Sequence, residues 1–572
     1  MELSTSRPRV LGWLRSAAIL DGDWGTSIAY VLGIAFYLAG YDSGWHLMMM
    51  LLLTTIIAFN YITICRVYPG GGGVYSSVSH RSKNLAVIGA LLLSADYVVT
   101  ASLSVLEACH YLGLANPELW AVAIILGIGV VNWFGPRHAG SLAIIISSAT
   151  FVALLVLIIV TFQSATQTIR LQPAPGGLFQ NWQIFVGIIL SISGIEAISN
   201  MTGVMKDPIR SSRRAILIVL AKISLATIVL GLAMLAIPEL DRSVHKEEMI
   251  RHIGDVYIGE WFGSFIGIVL GFLLISAGNT AINALTSIQF LMSVDGELPR
   301  VLRRLNSYGV TVLALFIATL VPIIVLLIVH DVITLSHLYA IGVVGAILIN
   351  IGATGTDRNI KMSPFMRGFM LLSATILFFV EVTIAFEKTE ALLFAVIVLV
   401  IGLAAREFGR RQALAVQAAR AVVPAVVSAP PRLEVAGGFE SKILVSVRGG
   451  GEKLLRQACE DSKLRKAFLF VLQIRQVAVG GLLPDKIPAE SFPKEDWIDT
   501  ICREYKIPYR IISIISSEIG YTIAEQAATL GVDRLILGAT QRTLVEKALR
   551  GDVLKTVSAL LPEEIQLTIY RA

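Results

Sequence analysis

The most constraining feature of this chain is a series of apolar runs, each about 20 residues long, that continues from about residue 18 to Arg411. A helical run of that length matches the hydrocarbon thickness of a bilayer. Of the 572 residues, 55% are hydrophobic and only 15% are charged, and the mean hydropathy is +0.73. Soluble domains carry about 25% charged residues. The sequence therefore predicts a mainly α-helical protein that crosses the membrane many times.

Twelve membrane-spanning helices are predicted from these runs. They lie near residues 18–40, 45–65, 84–113, 118–134, 140–163, 182–203, 214–237, 260–294, 309–330, 332–353, 366–387 and 390–406. An even number places both termini on one side. Alternate loops, together with the terminal flanks, hold about 20 Lys and Arg residues against about five in the opposite loops, which predicts cytoplasmic termini. The same bias accounts for the net charge of +6, so no nucleic-acid partner is expected. The expected location is a prokaryotic cell membrane.

The first span contains residues that a passive membrane helix would avoid. Residues 21–30 read DGDWGTSIAY, with Asp23 between two glycines. An ionised Asp in hydrocarbon costs at least about 2.5–3.5 kcal/mol, and each Gly disfavours a helix by about 1 kcal/mol relative to Ala. Irregular backbone at this depth is tolerated only where it lines a protein cavity or a water path. We expect a helix break here that offers polar groups to a ligand.

The sixth span repeats this pattern. Residues 193–200 read SGIEAISN, which again places a Gly and a carboxylate, Glu196, in the middle of an apolar run. Spans 1 and 6 are five spans apart. Paired breaks in two five-helix halves are typical of inverted-repeat transporters, in which the substrate site lies at the breaks. The predicted fold is therefore a LeuT-like 5+5 inverted repeat within residues 1–406.

The third span carries a polar stripe. Asp96, Thr100 and Ser104 are four residues apart and share one helix face, and Glu107 lies near that face about three turns from Asp96. Thr and Ser in such a stripe also form ordinary hydrogen bonds between helices, so that alternative stays open for Thr100 and Ser104. A buried acid in a membrane is a functional candidate by default.

The predicted site favours a cation. Asp23, Asp96 and Glu196 bring up to three acids to one region, where a fixed carboxylate would repel the carboxylate of an amino acid. Hydroxyl groups of Tyr30, Thr100, Ser104 and Ser193, with unwound carbonyl groups, supply neutral oxygens of the kind that replace the hydration shell of K⁺. Carboxyl groups in transporters also relay protons, and Glu196 is the candidate for proton coupling.

Four motifs resemble those of the Kup/HAK/KT potassium-uptake permeases, and in particular their KimA-like branch within the amino acid–polyamine–organocation superfamily. The motifs are GDWGTSIAY at 22–30, YPGGGGVY at 68–75, DYVVTASLS at 96–104 and GIEAISN at 194–200. The resemblance implies potassium import by proton symport, and a homodimer. It also implies cation-binding roles for Asp23, Tyr30, Asp96, Thr100, Ser104, Ser193 and Tyr339.

Two other functions stay open at this stage. The same superfamily contains amino-acid and polyamine permeases, and a positively charged polyamine would be compatible with the buried acids. A sensor that does not transport would use the C-terminal part of the chain to report a ligand. No catalytic constellation is present, so an enzyme is not expected, and neither is a cofactor. The only metal expected is the K⁺ at the transport site.

The C-terminal part of the chain has the composition of a soluble domain. A linker is predicted at 407–440, followed by a domain at 441–572 in which apolar strands alternate with helical patterns, as in a parallel doubly wound sheet. The four cysteines are scattered and fit a reducing cytosol.

The domain resembles universal stress proteins, but Gly538 and Gly551 keep only half of that family's nucleotide motif, which argues against ATP binding. The resemblance to KimA-like permeases implies a regulatory nucleotide such as cyclic di-AMP, for which Gly538, Gly551 and Arg542 are candidate contacts. A dimerisation module with a solvated basic helix is the alternative.

Overall fold

The computed structural model describes residues 11–135, 139–165, 177–306, 308–422, 439, 441–447, 451–476, 496–516, 519–539 and 552–570. The described residues between 11 and 422 form helices joined by turns and short loops, and those after 440 form a parallel sheet with flanking helices. Arg542 and Gly551 lie outside the described residues, so the predicted nucleotide contacts stay predictions.

Sixteen α-helices fill the described residues up to 422. They are α1 (Trp13–Asp21), α2 (Ser27–Ala39), α3 (Ser43–Val67), α4 (Val74–Ser79), α5 (Lys83–Tyr111), α6 (Pro117–Trp133), α7 (Ala139–Ala165), α8 (Leu178–Gly187), α9 (Ala197–Met201), α10 (Pro208–Ala236), α11 (Met249–Tyr257), α12 (Glu260–Val294), α13 (Val312–Ile328), α14 (Val332–Thr356), α15 (Pro364–Glu387) and α16 (Thr389–Val422).

Eight helical segments in the described part of the chain are long and apolar enough to cross a membrane, and a bent pair made of α8 and Ile189–Val204 raises the number to nine. One of these segments, Trp24–Val67, contains both α2 and α3, which a short 3₁₀ turn at Gly40–Asp42 separates. Helices α6 and α13 are apolar but shorter. The protein is thus a multi-pass membrane protein, while the exact number of twelve spans stays a prediction.

Helix α5 lies at the centre of this bundle. It packs against α12 and α14 along its length and also contacts α4, α6 and α13. Glycines allow this close approach, since a Cβ atom at Gly342 of α14 would come within 2.8 Å of the backbone nitrogen of Asp96, and one at Gly278 of α12 would lie 2.5 Å from the side chain of Val105. The polar stripe of α5 is consequently enclosed by protein rather than lipid.

The last helix of the membrane part extends beyond the predicted domain boundary. Helix α16 continues to Val422, so the first residues of the segment predicted as a linker are helical. The alanine-rich sequence at 412–421 accounts for this extension because Ala has the highest helix propensity. The helix ends two residues before Pro424 in the sequence, where a proline disfavours helical geometry in the residue before it.

The C-terminal residues form a five-stranded parallel sheet in the order β3-β2-β1-β4-β5. Its strands are β1 (Lys442–Val447), β2 (Phe468–Gln476), β3 (Tyr509–Ser516), β4 (Arg534–Gly538) and β5 (Gln566–Tyr570). Helices α17 (Glu452–Arg465) and α18 (Asp496–Glu504) contribute to one apolar cluster, and α19 (Ile519–Leu530) and α20 (Val553–Leu560) to a second. Side chains alternate between the two faces of a strand, so neighbouring residues of β1 enter different clusters, and the sheet carries helices on both faces, as predicted.

Candidate functional site

The first helix break is present where the sequence predicts it. Helix α1 ends at Asp21 and α2 begins at Ser27, with a 3₁₀ turn at Trp24–Thr26 between them. The hydroxyl of Thr26 donates a hydrogen bond to the carbonyl of Asp23, and Ser27 Oγ donates to the carbonyl of Trp24 at 2.7 Å. These local bonds use the carbonyl groups that a continuous helix would pair with amides further along, so the break is stable within a dry interior.

The second break interrupts the chain between α8 and α9. A 3₁₀ turn at Ile189–Ile192 follows α8, Ser193 is extended, and Gly194 has a φ of 90° before α9 starts at Ala197. The two helical halves are bent by 50° relative to each other. A φ of 90° is readily adopted only by glycine, so Gly194 is what permits the change of direction.

The two breaks lie against each other. A Cβ atom at Gly194 would be 2.5 Å from the backbone nitrogen of Trp24, and the indole nitrogen of Trp24 donates a hydrogen bond to the carbonyl of Ser191 at 3.3 Å. The backbone of one interrupted helix therefore faces the backbone of the other, as expected for a site built from two interrupted helices.

Three carboxyl groups converge on this region from three helices. Asp23, Asp96 and Glu196 are 6%, 0% and 4% exposed, and each interacts electrostatically with the others. Both carboxyl oxygens of Asp96 and Oε1 of Glu196 lack a hydrogen-bond partner among the described residues, whereas Oε2 of Glu196 accepts from the amide of Gly194 at 3.1 Å. An unpaired buried carboxylate is very costly, so this cluster needs protons or a cation.

Hydroxyl groups surround the acids. Ser193 Oγ and the Tyr339 hydroxyl form a hydrogen bond, and Tyr30 faces Asp23, Asp96 and Tyr339. These groups join the two interrupted helices to α14. Their neutral oxygen atoms are ligands of the kind that suit a weakly hydrated monovalent cation.

The other two hydroxyl-bearing residues predicted for the site lie on α5. Thr100 Oγ1 donates to the backbone carbonyl of Asp96 at 2.8 Å. Ser104 is buried two turns beyond Asp96 on the same helix. Thr100 is thus bonded to the backbone of one of the acids, and the cation-binding role of Ser104 stays a prediction.

The three acids do not form a compact metal centre. Among the described residues, no group of three or more His, Cys, Asp and Glu side chains is arranged to hold a metal ion.

Sequence reasoning missed the ion pair beside the first break. Lys222 Nζ of α10 lies 2.7 and 2.8 Å from the two carboxyl oxygens of Asp21, and Ser147 of α7 donates to the same carboxylate at 2.6 Å. Because Asp21 engages this ammonium group, Lys222 does not neutralise Asp23. The only sequence signal was a lone lysine in an apolar span.

The glycine run at 68–75 also contributes to the site, as a close backbone contact. The amide of Gly72 donates to the carbonyl of Ser199 at 2.8 Å, and a Cβ atom at Gly73 would overlap the side chain of Asn200. Asn200 in turn donates to the hydroxyl of Tyr97, which is next to Asp96 in sequence, at 3.1 Å. The segment therefore supports the half-helix that follows Glu196.

In the C-terminal domain, Gly538 is the one member of the predicted nucleotide set that lies within the described residues. It ends β4, at the carboxyl edge of the parallel sheet, where ligands of doubly wound folds bind.

Comparisons with known proteins bear mainly on the membrane part. No curated protein matches the chain. A solved universal stress protein in complex with cAMP resembles 23% of this chain and is itself covered to 98%, with 13% identity and a TM-score of 0.19, values too low to support any inference. The family model described as amino acid permease matches residues 11–403, which include both helix breaks and the three acids. The chain therefore belongs to the amino acid permease family, and is a secondary transporter of the amino acid–polyamine–organocation superfamily.

Proposed function

We propose that this transporter imports potassium ions together with protons through a site at the two helix breaks. The observation that carries the proposal is the group of three buried carboxyl groups, Asp23, Asp96 and Glu196, which no cationic side chain of the described residues contacts. The ammonium group of Lys222, next to the first break, contacts Asp21 instead.

The arrangement favours a cation over a zwitterion. In inverted-repeat carriers of anionic substrates, the free amides at a half-helix N-terminus attract the substrate carboxylate. Here Asp23 lies just before the N-terminus of α2, and Glu196 lies at the N-terminus of α9. These carboxylates would repel a substrate carboxylate, and the hydroxyls of Tyr30, Ser193 and Tyr339 would complete the oxygen shell of a K⁺ ion.

Glu196 is proposed as the residue that couples transport to protons. One of its oxygens is fixed by the Gly194 amide, and the other is unpaired within the described chain. A proton on Glu196 would leave the negative charges of Asp23 and Asp96 to the K⁺ ion, so that the proton and K⁺ can occupy the site together, as symport requires.

The finer architecture belongs to the same proposal. It comprises twelve spans in a LeuT-like 5+5 repeat, both termini in the cytoplasm of a prokaryotic cell, and a homodimer. The C-terminal α/β domain would regulate transport by binding a nucleotide such as cyclic di-AMP. The predicted contacts for this nucleotide are Gly538, Arg542 and Gly551.

Purified protein reconstituted in liposomes tests the proposal. Uptake of Rb⁺ as a tracer for K⁺ should occur down an imposed gradient, and an inward proton gradient should drive accumulation. Asp23→Asn, Asp96→Asn and Glu196→Gln remove single charges with little change of shape, whereas Glu260→Gln removes an exposed acid and is the matched control. The proposal fails if the wild-type protein carries no alkali cation.

The alternative substrate is an amino acid or a polyamine. The family model supports this alternative, because it is described as amino acid permease. A polyamine would pair its ammonium groups with the three acids. Uptake assays separate the candidates: Rb⁺ uptake that unlabelled K⁺ competes away supports the main proposal, whereas uptake of labelled spermidine or amino acid without Rb⁺ uptake supports the alternative.

A further inference from the structure

Glu107 is a further buried acid, and it lies outside the proposed ion site. Glu107 belongs to the outer end of α5, 11 residues from Asp96 and therefore roughly 16 Å away along the helix axis. Its side chain is fully buried, and neither carboxyl oxygen has a hydrogen-bond partner within the described part of the protein. Ordinary packing does not account for such a group, because each unpaired oxygen retains the full cost of its lost hydration.

Glu107 is covered by the segment 239–257, which includes α11. The backbone of Lys246 contacts Gly33 of α2, and Lys246 Nζ lies 3.2 Å from Asp331 at the start of α14. His110 Nδ1 is 3.1 Å from Glu247, one turn along α5 from Glu107. The segment therefore joins α2, α5 and α14 above the ion site.

The end of α5 is tied down at the same level. Tyr111 donates a hydrogen bond from its hydroxyl to the carbonyl of Ala29 at 2.6 Å, next to Tyr30 of the proposed site. Arg251 of α11 donates to the carbonyl of Tyr111 at 3.3 Å. The structure is thus closed at this end, and Glu107 is buried because the cover is closed.

The charges around Glu107 do not neutralise it. Glu247 and Glu248 interact with it unfavourably, and Lys246 interacts favourably but is itself bound to Asp331. The remaining titratable groups on the elements around it are Glu239, Asp241, Arg242, His245, Arg251, His252, Asp255 and Tyr257 of the cover and α11, Lys83, Asp96, Tyr97, Cys109, His110 and Tyr111 of α5, Tyr30 and Tyr37 of α2, Glu118 of α6, Glu260 of α12, and Asp331, His337 and Tyr339 before and in α14. None of these side chains forms a hydrogen bond to the Glu107 carboxyl group within the described residues.

We propose that Glu107 is a proton-binding site of the outer gate, whose carboxyl group takes up one proton from the external solution when the segment 239–257 closes over it. An ionised carboxylate would oppose closure because burial removes its hydration without supplying a partner. Protonation removes that opposition. The proposal rests on the orientation of the proposed transporter, in which this segment faces outward.

The accessibility of an introduced cysteine tests closure of the segment 239–257 independently of which substrate is transported. Ser104→Cys, in a protein that also carries Cys109→Ala, places a thiol under the cover, and Val244→Cys places one on its exposed surface. Each thiol is modified with a membrane-impermeant methanethiosulfonate. The modification rate at Ser104→Cys divided by the rate at Val244→Cys reports how often the gate opens. The ratio is measured from pH 5 to pH 8.5 with Glu107, with Glu107→Gln and with Glu107→Asp.

The side chain of Glu107→Gln is neutral at every pH. At a pH at which Glu107 is ionised, the gate of the Glu107→Gln variant should therefore close more readily than the gate of the protein with Glu107. The ratio in Glu107→Gln should be lower than with Glu107 by about tenfold once the pH is one unit above the pKa of Glu107, because the protonated fraction, which permits closure, falls about tenfold per pH unit there. The two ratios should converge at low pH. Glu107→Asp should retain the pH dependence, and Glu260→Gln should leave the profile unchanged. Protonation of His252 would affect both proteins equally and cancels in the comparison.

A constant difference between Glu107 and Glu107→Gln at all pH values would overturn the proposal, and so would a higher ratio in Glu107→Gln, which indicates a structural role. Absence of Rb⁺ uptake alongside the predicted pH profile would instead overturn the cation assignment and leave the gate in place.

Discussion

The ammonium group of Lys222 contacts both carboxyl oxygens of Asp21, at 2.7 and 2.8 Å, although the two residues lie 201 positions apart. The pair joins α10 to the end of α1, directly before the first helix break. Asp21 and Asp23, two residues apart, therefore have different roles. Asp21 forms an ion pair that joins two helices, whereas the carboxyl group of Asp23 is available to the proposed ion.

Removing one partner of this pair should destabilise the protein strongly. Lys222→Met leaves the Asp21 carboxylate buried and unpaired, and loss of one partner of a buried ion pair costs about 3–5 kcal/mol. We expect a marked fall in the melting temperature in detergent. The double variant Lys222→Met with Asp21→Asn should recover much of the loss, because no charge is then left alone. A single variant as stable as the wild type would show that the pair contributes nothing.

The contact between the two breaks should not tolerate a methyl group. Gly194→Ala places a Cβ atom 2.5 Å from the backbone of Trp24 and forces a non-glycine residue to a φ of 90°. Strain of this kind costs about 1–3 kcal/mol before the steric overlap is added. We expect transport to fall at least tenfold. Gly127→Ala of α6, where a Cβ atom would meet nothing within 4 Å, is the matched control and should retain wild-type uptake.

The hydroxyl pair Ser193 and Tyr339 should act as a unit in cation binding. Each of Ser193→Ala and Tyr339→Phe removes one oxygen from the proposed shell, and a single hydrogen-bonding group contributes about 0.5–1.5 kcal/mol. The KM for Rb⁺ should therefore rise about two- to tenfold in each single variant. The effects should be less than additive in the double variant because the two hydroxyls are bonded to each other. Strict additivity would contradict a shared role.

In Glu107→Gln, in which protonation of Glu107 cannot favour closure, the segment 239–257 should loosen as the pH falls below about 6.5. Burial, with the neighbouring His245, lowers the pKa of His252 to about 4. The folded segment then binds fewer protons than the unfolded one between the two pKa values, so its stability is complete above pH 6.5 and declines toward pH 4. Amide exchange of Met249–Tyr257, corrected for intrinsic rates, should accelerate over that range. His252→Phe should remove the dependence, and an unchanged profile in that variant would exclude His252 as its source.

The sequence predicted those features that depend on local chemistry. Both breaks were predicted because a carboxylate beside glycine is incompatible with a continuous span in lipid, and the structure interrupts both helices there. The five strands of the C-terminal sheet were equally visible as apolar runs between helical patterns. These signals are contained in windows of about ten residues.

The features that escaped prediction depend on long-range contacts. Lys222 carries no local sign that Asp21, 201 positions away, is its partner. The helical extension to Val422 was missed because an Ala- and Val-rich stretch with prolines resembles a linker. The number of spans depends on how short apolar helices such as α6 and α13 are counted.

The most direct test of the central claim is Rb⁺ uptake into liposomes containing the wild-type protein or Asp23→Asn, at equal amounts of inserted protein and with an inward proton gradient. The cation account predicts uptake by the wild type that K⁺ competes away, and little or no uptake by Asp23→Asn. Absence of Rb⁺ uptake by a well-folded wild-type protein, or full uptake by Asp23→Asn, would contradict it.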